Sequence, residues 1–195
     1  MDAVTTLLVG IPAQVAVFTL VPLAWWRNSA RPEGSFLRWL GFRGVRDAGD
    51  PLVLGATVVA MLGFFGGGLL GRGAASIEGS GYFAWLAIAL VAIVQTALSE
   101  EIFFRGFLLG WLSGKRGGAV LANLLQALTC GLVRLVALWL FVERGLAPSL
   151  AAFALGFAPA LMVGWVRQRT GSLLLPWAAH GTGNLLAGVV AVLTR

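Results

Sequence analysis

The chain alternates long apolar runs with short polar blocks, and that alternation leaves it few ways to fold. A bilayer crossing takes about 20 consecutive apolar residues. Runs of that order extend over Val4 to Trp26, Leu52 to Gly71, Tyr82 to Leu112, Ala119 to Phe141, Ser149 to Val166 and Leu173 to Leu193. About six crossings fill the chain and leave no stretch for a separate soluble domain. The expected fold is therefore all-α, a single polytopic transmembrane helical bundle over residues 1–195. Composition points the same way: with 11% charged residues, the chain falls well below the roughly 25% of a soluble domain. Polar residues come only in short blocks, which excludes a disordered chain.

Charge placement orients the bundle. The first run has Asp2 before it and Arg27 and Arg31 after it. It lacks the basic leading region of a secretory signal peptide and reads as a retained first crossing. On alternate sides, Arg27, Arg31, Arg38, Arg43, Arg46, Lys115, Arg116, Arg167 and Arg169 face Arg72, Arg144 and Arg195. By the positive-inside rule, both termini are expected on the non-cytoplasmic side. The formal net charge of +6 is thus topological, and no nucleic-acid partner is implied because the basic residues are dispersed. Small loops and the lack of a transit pattern fit a prokaryotic plasma membrane, with membrane lipids as the surroundings.

Local patterns add detail. Phe36 to Phe42 is amphipathic, and a short interfacial helix or a plain polar linker both fit it. Gly63, Gly67 and Gly71, with Gly66 and Gly68 beside them, make a close-packing face rather than a phosphate loop. The run Tyr82 to Leu112 would measure about 46 Å as a helix, more than a bilayer core requires, so it must tilt, protrude or break. No internal repeat supports an inverted-repeat transporter.

Ionisable groups inside the runs carry the chemistry, because a charge at mid-bilayer costs about 2.5 to 3.5 kcal/mol on insertion scales and needs a partner or a watery cavity. They are Glu100, Glu101, Arg105, Arg134 and His180, with the amides Gln95, Asn123, Gln126 and Asn184. Glu101 and Arg105 stand four residues apart in the favourable order for a helical ion pair. Glu100 is rotated about 100° away, so one arginine cannot serve both carboxylates, and Glu100 is left for work as a base or proton carrier. His180 and Asn184, also four apart, share a face that can hold an oxyanion. Asn123, Ala127, Cys130 and Arg134 form a stripe, with Gln126 at its edge, suited to the bundle interior. Cys130 and His180 are the only residues of their kinds. Those counts exclude an intrachain disulfide, a Cys-based zinc site, an HExxH metalloprotease and a multi-His cage.

Ser99, Glu100, Glu101, Ile102, Phe103, Phe104, Arg105 and Gly106 spell EExxxR in an apolar helix. Behind a Thr170-Gly171-Ser172 turn and Pro176, His180 and Asn184 spell HxxxN. The pair resembles the CPBP family, also called the Abi or CAAX-protease-like family, over about Val91 to Ala187. Its members include prenyl-protein-specific CAAX endopeptidases and proteins assigned to bacteriocin processing or immunity. The resemblance implies that Glu100 activates water while His180 and Asn184 hold the oxyanion, and that Glu101 and Arg105 are structural. It also implies a peptide or membrane-protein substrate, prenylated CAAX tails being one precedent.

The chain departs from the family pattern at the intervening FxxxH motif, where Cys130 stands at the phenylalanine and Arg134 at the histidine. A guanidinium neither accepts a proton nor ligates a metal, so Arg134 cannot replace a water-activating imidazole. It is expected to clamp Glu100 and weaken it as a base. Two functional expectations follow: a glutamate-dependent intramembrane endopeptidase, and a catalytically silent relative acting as a membrane scaffold, immunity or regulatory protein. A small proton-coupled transporter using Glu100 is a distant third. No cofactor is expected, since one glutamate and one histidine fall short of the three protein ligands usual at catalytic zinc.

Overall fold

A computed structural model describes residues 5–29, 34–71, 81–114, 118–141 and 145–194. Asp2, Arg31, Arg72, Lys115, Arg116, Arg144 and Arg195, which enter the charge argument, lie outside the described residues. Among those described there is no strand. The elements are α1 (Ile11–Asn28), preceded by a π-helical turn (Thr6–Gly10), α2 (Phe36–Leu40) and α3 (Pro51–Gly71). They continue with α4 (Tyr82–Ser113), α5 (Gly118–Phe141), α6 (Leu146–Thr170) and α7 (Leu174–Leu193).

Five stretches, Leu7–Asn28, Pro51–Leu70, Tyr82–Ser113, Gly118–Leu140 and Leu146–Thr170, are long and apolar enough to cross a membrane. The last expected run is helical as α7 but is not among these five. Pro176, His180, Asn184 and its glycines dilute its hydropathy, and His180 and Asn184 are buried against other helices instead of facing lipid. The long run α4 neither stops nor breaks. It stays helical for 32 residues but passes through π-helical stretches at Val91–Leu98 and Ile102–Leu108. Such wider turns recur at functional sites, and here they flank Ser99, Glu100 and Glu101.

The packing forms a ring: α4 lies against α7, α7 against α3, α3 against α6, α6 against α5, and α5 against the second half of α4. On the outside, α1 leans on α4. The glycine-rich α3 serves two neighbours, so its close-packing face is really two. A Cβ on Gly63 would lie 3.0 Å from Pro159 of α6, and one on Gly68 would lie 2.8 Å from Ala187 of α7. The approach is reciprocated by Gly183 of α7, where a Cβ would come 2.5 Å from the Met61 carbonyl oxygen. Small residues here let the backbones meet, which is how helices associate when lipid removes the hydrophobic drive.

The segment Phe36 to Phe42 resolves into the short helix α2. Ser35 caps it by accepting from the Arg38 N–H at 3.4 Å, and Gly41 ends it with φ of 105°. Leu40 is fully buried against Ile102, Phe107 and Leu173, while Leu37 and Arg38 face outward. That is the geometry of an amphipathic helix seated at the end of a bundle.

Candidate active site

The ring brings the polar residues of α4, α5 and α7 to one place. Glu101 and Arg105 pair at 2.8 Å, both side chains fully buried. The same Glu101 oxygen, Oε1, lies 2.9 Å from His180 Nδ1. An ionised carboxylate already accepting from Arg105 can only accept again, so Nδ1 carries the imidazole proton and Nε2 presents its lone pair. The flat face of that imidazole stacks on Phe64 of α3, ring centroids 3.9 Å apart and planes 13° from parallel.

Glu100 points the other way, as its 100° rotation requires. Its Oε2 accepts from Arg134 Nη2 at 3.0 Å, and the same nitrogen lies 3.2 Å from His180 Nε2. Nε2 and the Glu100 oxygen are 3.9 Å apart. Arg134 is therefore inserted between the two groups that the sequence marks as catalytic, donating to both. Its side chain retains 26% exposure and that of Glu100 14%, so the cluster opens to the outside while Glu101, Arg105 and His180 are sealed beneath it. Room for Arg134 is made by Gly156 on α6, where a Cβ would lie 2.8 Å from Arg134 Cγ.

Asn184 lies one turn along α7 from His180. Its Nδ2 donates to Thr96 Oγ1 at 3.1 Å, one turn before Glu100 on α4. Asn123 and Gln126 are brought together but not to the cluster. Asn123 Nδ2 donates to the Leu161 carbonyl at 2.9 Å, and Gln126 Nε2 donates to Asn123 Oδ1 at 2.8 Å and to the Ala160 carbonyl at 3.0 Å. They tie α5 to α6. Gln95 of α4 instead donates to Gln14 of α1 at 3.1 Å. Cys130 is buried beside Phe104, Ala127 and Ala160 as a small apolar side chain.

Sequence reasoning missed Phe64 and Thr96. Phe64 sits in a continuous apolar run, where a ring aimed at a histidine reads the same as one aimed at lipid. Thr96 had a signal, its place one helical turn before Glu100 on the same face. Among the described residues no group of three or more His, Cys, Asp or Glu side chains could hold a metal ion. The protein is thus an integral membrane protein with a buried acid, base and guanidinium cluster inside a helical ring.

A family model described as type II CAAX prenyl endopeptidase Rce1-like matches residues 82–186, from the start of α4 into α7. The match spans more than half of the chain, and the chain belongs to this family. Endopeptidases of this kind are in general metal-independent. No curated protein and no solved structure matches the chain. The matched range holds Glu100, Glu101, Arg105, Arg134, His180 and Asn184 but leaves out α3 and Phe64.

Proposed function

We propose that this chain is a CAAX-protease-like intramembrane endopeptidase of the prokaryotic plasma membrane, with both termini on the non-cytoplasmic side. Glu100 takes a proton from water, and the resulting hydroxide adds to a peptide carbonyl. The oxyanion is held by Asn184 and by His180, which must carry a proton on Nε2 once Arg134 withdraws, then the C–N bond breaks and the proton passes from Glu100 to the leaving amine. The supporting observation is the meeting of Glu100 and His180 across α4 and α7, 3.9 Å apart at a partly open cluster. The substrate would be a lipidated peptide or a membrane protein.

A second reading, a silent relative acting as scaffold, immunity or regulatory protein, is favoured by Arg134. Its Nη2 fills the position between Glu100 and His180. A lone pair at Nε2 accepts from Arg134 and offers an oxyanion no proton. General acid and base groups each contribute about a hundredfold to ten-thousandfold, so a clamped Glu100 leaves slow turnover or none.

Cleavage of a fluorogenic lipidated peptide by the protein in lipid vesicles separates the two. The endopeptidase reading expects native turnover that falls at least about a hundredfold in Glu100→Ala. The silent reading expects an inert native chain and turnover in Arg134→His. Activity that survives Glu100→Ala sinks the glutamate mechanism.

A further inference from the structure

We propose that the end of the bundle where α6 turns into α7 holds a phosphate group through Arg43, Arg46 and Arg167, supplied by an anionic lipid headgroup. The segment after α2 is laced to this turn by main-chain and hydroxyl bonds. Leu173 N–H donates to the Gly41 carbonyl at 2.9 Å, Arg46 N–H to the Thr170 carbonyl at 3.3 Å, and Ser172 Oγ to the Arg43 carbonyl at 2.6 Å. The arginines of both segments are thereby brought to one spot.

Two left-handed glycines let the guanidinium groups lie close to the backbone. Gly41 has φ of 105° and Gly171 φ of 70°. A Cβ on Gly41 would lie 2.3 Å from Arg167 Nη2. One on Gly171 would lie 2.8 Å from Arg46 Nη2 and 3.0 Å from Arg43 Nη2, so those two nitrogens are within about 6 Å of each other. Arg43 also stands close enough to Arg167 for the two charges to repel.

Among the described residues, what holds the groups there is carbonyl oxygen and not acid. Arg167 Nη2 donates to the Leu40 carbonyl at 3.2 Å and Arg43 Nε to the Gly171 carbonyl. Asp47 and Asp50, the nearby acids, face Arg169 at 4.0 and 3.6 Å. Among the described residues no carboxylate pairs with Arg43, Arg46 or Arg167, and Arg167 Nε is buried with no hydrogen-bond partner. Three cations gathered around neutral carbonyls call for an anion, and guanidinium forks match phosphate oxygens. Arg167 closes a membrane span and the amphipathic α2 lies beside it, so the cluster sits at headgroup depth. Anionic lipid is concentrated there.

The test adds phosphatidylglycerol, phosphatidylcholine or inorganic phosphate to detergent-purified full-length protein and follows the unfolding temperature. Native chain is compared with Arg46→Gln, which spares the Arg43 hydrogen bond, and with the charge-preserving Arg46→Lys. Stabilisation by phosphatidylglycerol beyond phosphatidylcholine is expected, with apparent affinity about fivefold weaker in Arg46→Gln and mostly retained in Arg46→Lys. Stabilisation by inorganic phosphate alone, lost in Arg46→Gln, would support the phosphate site and move its source to the free anion. Equal responses from native protein and Arg46→Gln to all three overturn the proposal.

Discussion

Glu100 and Glu101 are neighbours in the chain yet serve different partners, because adjacent helical side chains diverge by about 100°. Glu101 takes Arg105 and the His180 Nδ1 side, and Glu100 takes Arg134. The Glu101–Arg105 pair was legible from its four-residue spacing alone. That it also fixes the His180 tautomer was not, since α7 begins more than seventy residues later. The pair is not well satisfied: Glu101 Oε2 and Arg105 Nε and Nη2 are buried without hydrogen-bond partners. Desolvation of such a pair roughly cancels its attraction, whereas stranding one member costs about 3 to 5 kcal/mol. Arg105→Met alone is therefore expected to lower the unfolding temperature sharply in detergent. The double variant Glu101→Gln with Arg105→Met should recover most of that loss. A double variant as unstable as the single one would contradict this account.

At the scale of elements, α4 and the α5–α6 pair show how helices are fitted around polar groups. The length of α4 was plain from its apolar run, but the π-helical turns on either side of Glu100 and Glu101 have no simple sequence signal. They appear only in the folded helix, at Val91–Leu98 and Ile102–Leu108. Between α5 and α6, Gly164 gives the space into which Asn123 and Gln126 reach. A Cβ there would lie 1.9 Å from Asn123 Oδ1 and 2.6 Å from Gln126 Nε2. Gly164→Ala is expected to cost about 1 to 3 kcal/mol or more, since overpacking would also break the amide bonds to Leu161 and Ala160. Gly55 on α3 has nothing within 4 Å of its Cβ position. Gly55→Ala should be neutral or stabilising by up to about 1 kcal/mol. Thermal unfolding of both variants in one detergent checks the contrast, and equal effects would refute it.

At the scale of the whole molecule, the helices close into a ring that seals Glu101, Arg105 and His180 while leaving Glu100 and Arg134 partly open. On the orientation proposed from charge, the Arg43, Arg46 and Arg167 end is expected to face the cytoplasm. In a Cys130→Ser background, a cysteine appended after Arg195 is expected to react with an impermeant maleimide on intact cells. Arg46→Cys should react only after lysis, and the opposite pattern would invert the bundle. The apolar runs by themselves determined an all-α membrane protein, and the EExxxR and HxxxN spacings its family. Local geometry suffices for the first, because helical period and span length are properties of a single segment, while the family was legible as a resemblance carried by the motif residues of two segments. Only the tertiary structure decided that Arg134 stands between Glu100 and His180, that Phe64 stacks on the imidazole, and that Asn123 serves helix packing. Those contacts join segments far apart in the chain, and their partners are chosen by how the helices pack, which no single segment encodes.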